Sequence, residues 1–390
     1  MKNILYIFLI SCFSFTIISC AKKSGGSSGS SSADANSCNN SKDSIVGNAV
    51  TEKCSGTDCP VSKIVIWDLD GCMTVVGESV NGWAVDAASH NNSIYIADDA
   101  GFYWIVGADN RIEKKQLNYP SGYKNSEITG ISVNSIGDVY VAGMVVKNKK
   151  ELTAYWKNGE LVKSFSENAD WSSEKHVVAD SNGNVYIPGW RMKSHSVTYS
   201  AYWKNGNLKI LTSTYDGEAT DVDISGSKVY LSGAHGAICD LPCPVTSGTL
   251  AAYWQVGKGM TKVTKVNTAG YPKRWIMRSR ASSIHVEGST VYMAGDVDGF
   301  VPVYWRNKIQ HELPVKYDLD TCDYCKADPI DISVLDGKVL VVGNYYDAND
   351  KVDYYYTHGE KKAVYWLDKK LHILCESCGS SYAVAVVVMD

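Results

Sequence analysis

Seven tryptophans recur at one place in a repeated phrase, and no other feature of the chain constrains it as much. They are Trp67, Trp104, Trp156, Trp203, Trp254, Trp305 and Trp366, with spacings of 37, 52, 47, 51, 51 and 61 residues. A tyrosine directly precedes each of them except the first, Ile66-Trp67. The clearest copy of the phrase pairs Val185-Tyr186-Ile187-Pro188-Gly189 with Ala201-Tyr202-Trp203-Lys204-Asn205-Gly206. Variants of the Val-Tyr-x-x-Gly half begin at Ile94, Val139, Val185, Val229, Val291 and Val339.

Each unit divides into four strands. The first is a short run such as Gly130-Ile131-Ser132-Val133, Thr220-Asp221-Val222-Asp223-Ile224 or Asp331-Ile332-Ser333-Val334. A polar turn, as at Ser135–Asp138 or Ser181–Asn184, leads into the Val-Tyr strand. The third strand carries Tyr-Trp, and Asn158-Gly159 or Asn205-Gly206 turns it into a fourth. Asn and Gly supply the positive φ angles that two-residue hairpins need. Alternating β-branched and aromatic residues dominate, and no long segment has helical periodicity.

Four antiparallel strands per fifty-residue unit, repeated about seven times, define an all-β chain folded as a β-propeller. The two ends support closure of the ring. Residues 64–76 match only the third and fourth strands of a unit, and residues 382–388 match only a first strand. Pairing the terminal strands would complete one blade. Its Val-Tyr strand has no match, so a three-stranded closing sheet is expected, with a blade count between six and eight.

The chain resembles bacterial propeller lipoproteins built from Tyr-Trp-Lys-Asn-Gly repeats, over about 330 of its 390 residues. The resemblance implies a fold and a cell-envelope location, and carries no activity. It lacks the glycine pair of Kelch repeats and the Gly-His and Trp-Asp marks of WD repeats. The first residues fit this class. Lys2, the apolar run from Ile4 to Ile18 and then Ile17-Ile18-Ser19-Cys20 resemble a lipoprotein signal with its lipobox. The division expected is a signal peptide at 1–19, a lipidated Cys20 with a flexible Gly/Ser linker at 20–44, a cysteine-containing lead-in at 45–62 and the propeller at 63–390. Two or more acyl chains on Cys20 would hold the protein stably to a membrane. The implied location is the envelope, on the outer membrane facing the periplasm or the surface.

In a propeller, the connections from second to third strands and between blades open on one face. Here those connections are the long ones, and length asymmetry marks a binding face. The ligand-binding candidates there are Trp190 and Arg191, near His195; Arg274, Trp275 and Arg278, near Arg280; and Tyr345, Tyr346 and Tyr355, near Tyr354 and Tyr356. Flat aromatics beside Arg can stack on sugars or grip a peptide. The competing reading is that long loops fold together and bury these rings.

Four cysteine pairs are close in sequence: Cys54 with Cys59, Cys239 with Cys243, Cys322 with Cys325, and Cys375 with Cys378. In an exported protein these are disulfide candidates. The alternative is a four-thiolate zinc site built from the Cys322 and Cys375 pairs. Calcium is a further option at Asp318, Asp320, Asp323 and Asp328, or at Asp347, Asn349, Asp350 and Asp353, although neither group has the EF-hand order. No cofactor is otherwise expected.

A formal net charge of -4 gives no electrostatic footprint for nucleic acid. Val65-Ile66-Trp67-Asp68-Leu69-Asp70-Gly71 resembles the first motif of haloacid-dehalogenase phosphatases, but that family needs an α/β core, so Asp70-Gly71 is read as a hairpin turn. Gly25-Gly26-Ser27-Ser28-Gly29 matches a nucleophile elbow without its strand and helix. No nucleophile is paired with a base. The sequence therefore favours a membrane-anchored, non-enzymatic protein binding a protein, peptide or glycan. The alternatives are a carbohydrate hydrolase or lyase with carboxylates gathered from several blades, and a purely structural envelope lipoprotein.

Overall fold

The computed structural model describes residues 43–50, 62–78, 82–165, 176–194, 197–212, 217–236, 249–263, 279–297, 301–315, 327–346, 361–375, 378 and 380–389. These form seven four-stranded antiparallel sheets, the blades of a seven-bladed propeller. Strands are numbered in chain order, and each blade is given from its axial strand outward.

The first blade is β4 (Ala84–His90), β5 (Ser93–Asp98), β6 (Phe102–Val106) and β7 (Ile112–Gln116). The second is β8 (Tyr123–Val133), β9 (Val139–Lys147), β10 (Lys150–Lys157) and β11 (Glu160–Phe165). The third is β12 (Val178–Ala179), β13 (Val185–Ser194), β14 (Val197–Lys204) and β15 (Asn207–Ile210). The fourth is β16 (Glu218–Ser225), β17 (Lys228–Gly236), β18 (Thr249–Gln255) and β19 (Gly259–Lys262). The fifth is β20 (Ser279–Glu287), β21 (Thr290–Val297), β22 (Val301–Arg306) and β23 (Ile309–Glu312). The sixth is β24 (Ala327–Leu335), β25 (Lys338–Tyr346), β26 (Lys361–Leu367) and β27 (Lys370–Ile373).

The closing blade combines the C-terminal β28 (Ser381–Val388) with β1 (Asp43–Val50), β2 (Ser62–Asp68) and β3 (Met73–Glu78). It has four strands, which corrects the three expected. β1 falls in the stretch divided above between linker and lead-in, so the propeller starts at Asp43 and not at residue 63. The reason for the miss is local. Asp43-Ser44 stand where other units have Val-Tyr, and only Gly47 keeps the pattern, facing β28 between Ala383 and the bulge beside Val46.

The repeat phrase now has a physical meaning. Adjacent residues of a strand point to opposite faces of its sheet, so Tyr-Trp serves two blade interfaces at once. Trp203 of the third blade packs with Tyr140 and Tyr155 of the second, while its neighbour Tyr202 packs with Trp254 of the fourth. Each of the seven core clusters is one such interface, and two of them, around Trp67 and Trp104, join the closing blade to its neighbours. All seven tryptophans are buried. Each removes on the order of 200 Å² from water, which makes the interfaces the main apolar core.

The Lys-Asn-Gly end of the phrase closes the hairpin. Asn205 adopts a φ of 53° and Gly206 one of 74°. The Asn205 Oδ1 also accepts the Val185 N–H at 2.8 Å, as Asn158 Oδ1 accepts the Val139 N–H. The glycine of Val-Tyr-x-x-Gly answers a different need. Each axial strand whose pairing extends past this glycine has a bulge opposite it, and the bulge pushes a carbonyl onto the second strand. A Cβ on Gly233 would lie 2.1 Å from the Glu218 oxygen.

Candidate functional site

Two regions could hold a site: the propeller axis and the face bearing the long connections.

At the axis, the residue just past each bulge forms a ring of equivalent positions. Pairing registers place Asp86, Gly130, Asp221, Ser283, Asp331 and Ala385 there. His176, two residues before Val178, fills the third blade's place by extension of the β12–β13 register. Each aspartate joins two blades. Asp86 accepts the N–H of Ala87 and, at 2.8 Å, that of Ile131 on the next blade. Asp221 does the same with Val222 and, at 2.7 Å, Ile284. Asp331 pairs with Ile332 and, at 2.8 Å, Val386. Two residues further along β16, Asp223 repeats the pattern with Ile224 and Val286.

His176 sits among these carboxylates, its Nδ1 3.4 Å from Asp86 and 3.6 Å from Asp221. It reaches them past Gly130, where a Cβ would be 2.7 Å from the His176 Cα. Its side chain is only 15% exposed. Burial alone would lower its pKa, but Asp221 and Asp86 reverse the effect and raise it to about 10. Burial pushes Asp221 up to about 7 against the pull of His176, and burial raises Asp331 as well. The Ser283 hydroxyl lies 2.9 Å from Asp221 Oδ2 and 2.7 Å from Asp331 Oδ1. One hydroxyl has one proton, so these two contacts are best satisfied when one carboxyl keeps its own. A proton network therefore runs Asp86–His176–Asp221–Ser283–Asp331 across five blades.

This arrangement is poorly suited to acid–base catalysis. A general base must present a free lone pair near the reacting proton, and His176 holds its proton well above neutrality. Both Asp221 oxygens already accept from backbone and side-chain donors. The cluster ties blades together. Among the described residues, no group of three or more His, Cys, Asp or Glu could hold a metal ion.

The second region is defined by topology. Turns from first to second and from third to fourth strands are all short, the longest being residues 107–111, 134–138 and 180–184. The opposite end carries residues 51–61, 166–177, 237–248, 263–278, 313–326 and 347–360. Trp190 and Arg191 lie on β13 toward that end, Trp190 half-buried and Arg191 exposed. Arg191 pairs across the hairpin with Tyr199. Tyr345 is 4% exposed and packs in the fifth–sixth blade interface with Tyr292 and Tyr304, a core position and not an open one. Tyr346 ends β25, but its side chain lies outside the described residues. So do Arg274, Trp275, Arg278, Tyr355, His195, Tyr354 and Tyr356. Arg280 is ion-paired to Glu218 at 2.6 Å.

Cys375 and Cys378 form a disulfide in the core beside the closing blade, which removes that pair from a four-thiolate zinc site. Cys72 is also disulfide-bonded. Cys20, Cys54, Cys59, Cys239, Cys243, Cys322 and Cys325 lie outside the described residues, as do both proposed calcium groups except Asp328, which is on β24. Asp68 closes the expected hairpin turn by accepting the N–H groups of Asp70 and Cys72. This is turn chemistry, with no nucleophile presented.

The axial ring was missed at the level of sequence. Its signal was present in Thr220-Asp221-Val222 and Asp331-Ile332, since aligning first strands on the Val-Tyr-x-x-Gly glycine, whose place Asp98 takes in the first blade, brings Asp86, Asp221 and Asp331 into one column.

The class defined by this fold is the seven-bladed β-propeller. No protein-family model matches the chain, and no curated protein matches it. Solved structures match it at low similarity. A Bacteroides caccae protein of unknown function is 10% identical with a TM-score of 0.40, the match covering 88% of this chain and 97% of that one. A catalytically inactive virginiamycin B lyase from Staphylococcus aureus, solved with quinupristin, is 12% identical with a TM-score of 0.46, covering 77% and 92%. The periplasmic gluconolactonase of Pseudomonas aeruginosa is 11% identical with a TM-score of 0.43, covering 88% and 99%. At these identities and TM-scores the likenesses carry nothing about what this chain does.

Proposed function

We propose that the chain is a lipid-anchored, non-enzymatic binding protein of the bacterial cell envelope, held at Cys20 and taking a protein, peptide or glycan ligand on its long-connection face. The observation carrying this reading is the asymmetry of the strand connections: every connection longer than five residues lies at one end of the propeller, and those at the other end run to five at most. Long connections on a rigid scaffold are where binding residues concentrate. The commitment of the axial groups to inter-blade bonds favours binding over catalysis.

The test is a glycan and peptide binding screen on the body, residues 43–390, run with calcium and with chelator. Saturable binding that is lost on Arg191→Ala or Trp275→Ala supports the reading. Silence in both conditions counts against it. The second reading, a carbohydrate hydrolase or lyase, has the convergence of Asp86, Asp221, Asp331 and His176 as its one supporting observation, and the inter-blade bonds those groups already make weigh against it. Turnover of a glycan abolished by His176→Gln in a folded variant would establish it.

A further inference from the structure

The direction of β1 fixes where the anchor leaves the propeller. Asp43 pairs with Val388, the last residue of axial strand β28, while Val50 at the other end donates its N–H to Ser380. Axial strands run from the long-connection face to the short-turn face, as β16 does before its turn at residues 226–227. The chain preceding Asp43 therefore joins the body on the short-turn face, opposite the long connections.

We infer that the bilayer lies under the short-turn face, so that the long-connection face looks into the aqueous compartment and draws its ligand from there, not from the membrane that holds the anchor. This rests on the proposed lipidation of Cys20. Length makes the direction matter. A Gly/Ser-rich chain as long as residues 21–42 has a root-mean-square reach of about 26 Å and a fully extended limit of about 75 Å. An eight-residue strand such as β16 is itself about 26 Å tall. Turning the other face to the bilayer would require the tether to climb that height and pass two outer strands, β2 and β3, adding about 10 Å. Such a path exceeds its usual reach, whereas contact on the short-turn side needs no stretching.

The experiment uses the lipidated full chain in vesicles whose headgroups carry an energy-transfer acceptor. A fluorescent amino acid is placed at residue 136 or at residue 149, avoiding thiol labelling because of the native cysteines. Ile136 is exposed in the turn before β9 and Lys149 in the turn after it, so the probes mark opposite ends of one strand about 30 Å long. Several-fold stronger transfer from residue 136 than from residue 149 is the expected result. Equal transfer, or stronger transfer from residue 149, would overturn the orientation. Flotation separates the two possible failures. If the wild type does not float with vesicles, or Cys20→Ser floats equally well, the anchor reading falls and the orientation falls with it.

Discussion

Asp331 accepts the Val386 N–H at 2.8 Å, so the strand that closes the ring is bonded to the sixth blade through a half-buried carboxylate. Asp221 makes the same bond to Ile284 and Asp86 to Ile131. The closing joint is thus held by the same device as two ordinary joints. This matters because β28 reaches its blade from the far end of the chain, and the Asp331 bond, with the Asn344 bonds to Ala383 and the Ser381 bond to Ala363, ties it to the sixth blade beside its pairing with β1.

Replacing Asp331 with Ala leaves the Val386 and Ile332 N–H groups without their acceptor. An unpaired buried donor costs about 1–3 kcal/mol, so Asp331→Ala is expected to lower stability by at least that amount. Lys209→Ala, exposed on the outer strand β15, is expected to change it by less than about 0.5 kcal/mol. Urea unfolding followed by tryptophan fluorescence measures both. Equal stability in the two variants would mean that the axial bond is dispensable.

The axial cluster predicts an unusual pH profile. The raised His176 pKa stabilises the fold fully below about 6.5, and that contribution is lost as pH rises toward 10. Asp221 is raised to about 7, so between about 4 and 7 the unfolded state releases a proton that the folded state keeps. Stability falls there also as pH rises. Both limbs slope the same way, the reverse of the loss on acidification given by carboxylates with lowered pKa values. Melting temperature measured from pH 4 to 10 should decline toward alkali. His176→Gln should flatten the upper limb and Asp221→Asn the lower one. A stability maximum above pH 8 in the wild type would contradict the assignment.

The propeller was legible because its signal is local and periodic: Tyr-Trp, Asn-Gly and Val-Tyr-x-x-Gly are short phrases that each report one strand or turn. The closing strand escaped because Asp43-Ser44 break the phrase and only Gly47 survives. The axial cluster escaped for a different reason. Its bonds link residues such as Asp221 and Ile284, or Asp331 and Val386, that are 63 and 55 positions apart, so no window of sequence contains a pair. Tyr345 shows the converse limit. Its place near a long connection suggested a ligand contact, but alternation along β25 turns its side chain into the blade interface.

The glycine facing each bulge gives a sharper test of packing than of propensity. At Gly343, a Cβ would sit 2.3 Å from the Asp328 carbonyl oxygen, and the neighbour is backbone, so the strands must separate. Gly343→Ala should cost about 1–3 kcal/mol through overpacking. Thermal unfolding of this variant at wild-type values would show that the bulge relaxes without cost.

The interface tryptophans set the last expectation. Trp203 is 1% exposed and packs against Phe165, with ring centroids 5.8 Å apart. Truncating a buried tryptophan removes its transfer energy and leaves a cavity, together about 3–5 kcal/mol. Trp203→Ala should therefore lose that much, and Trp203→Phe clearly less because part of the volume is kept. The effect belongs to the joint between second and third blades, so hydrogen exchange should rise first in β9, β10, β13 and β14. Exchange that rises equally in the distant fifth and sixth blades would mean that the ring opens as one unit, and that its seven interfaces do not fail separately.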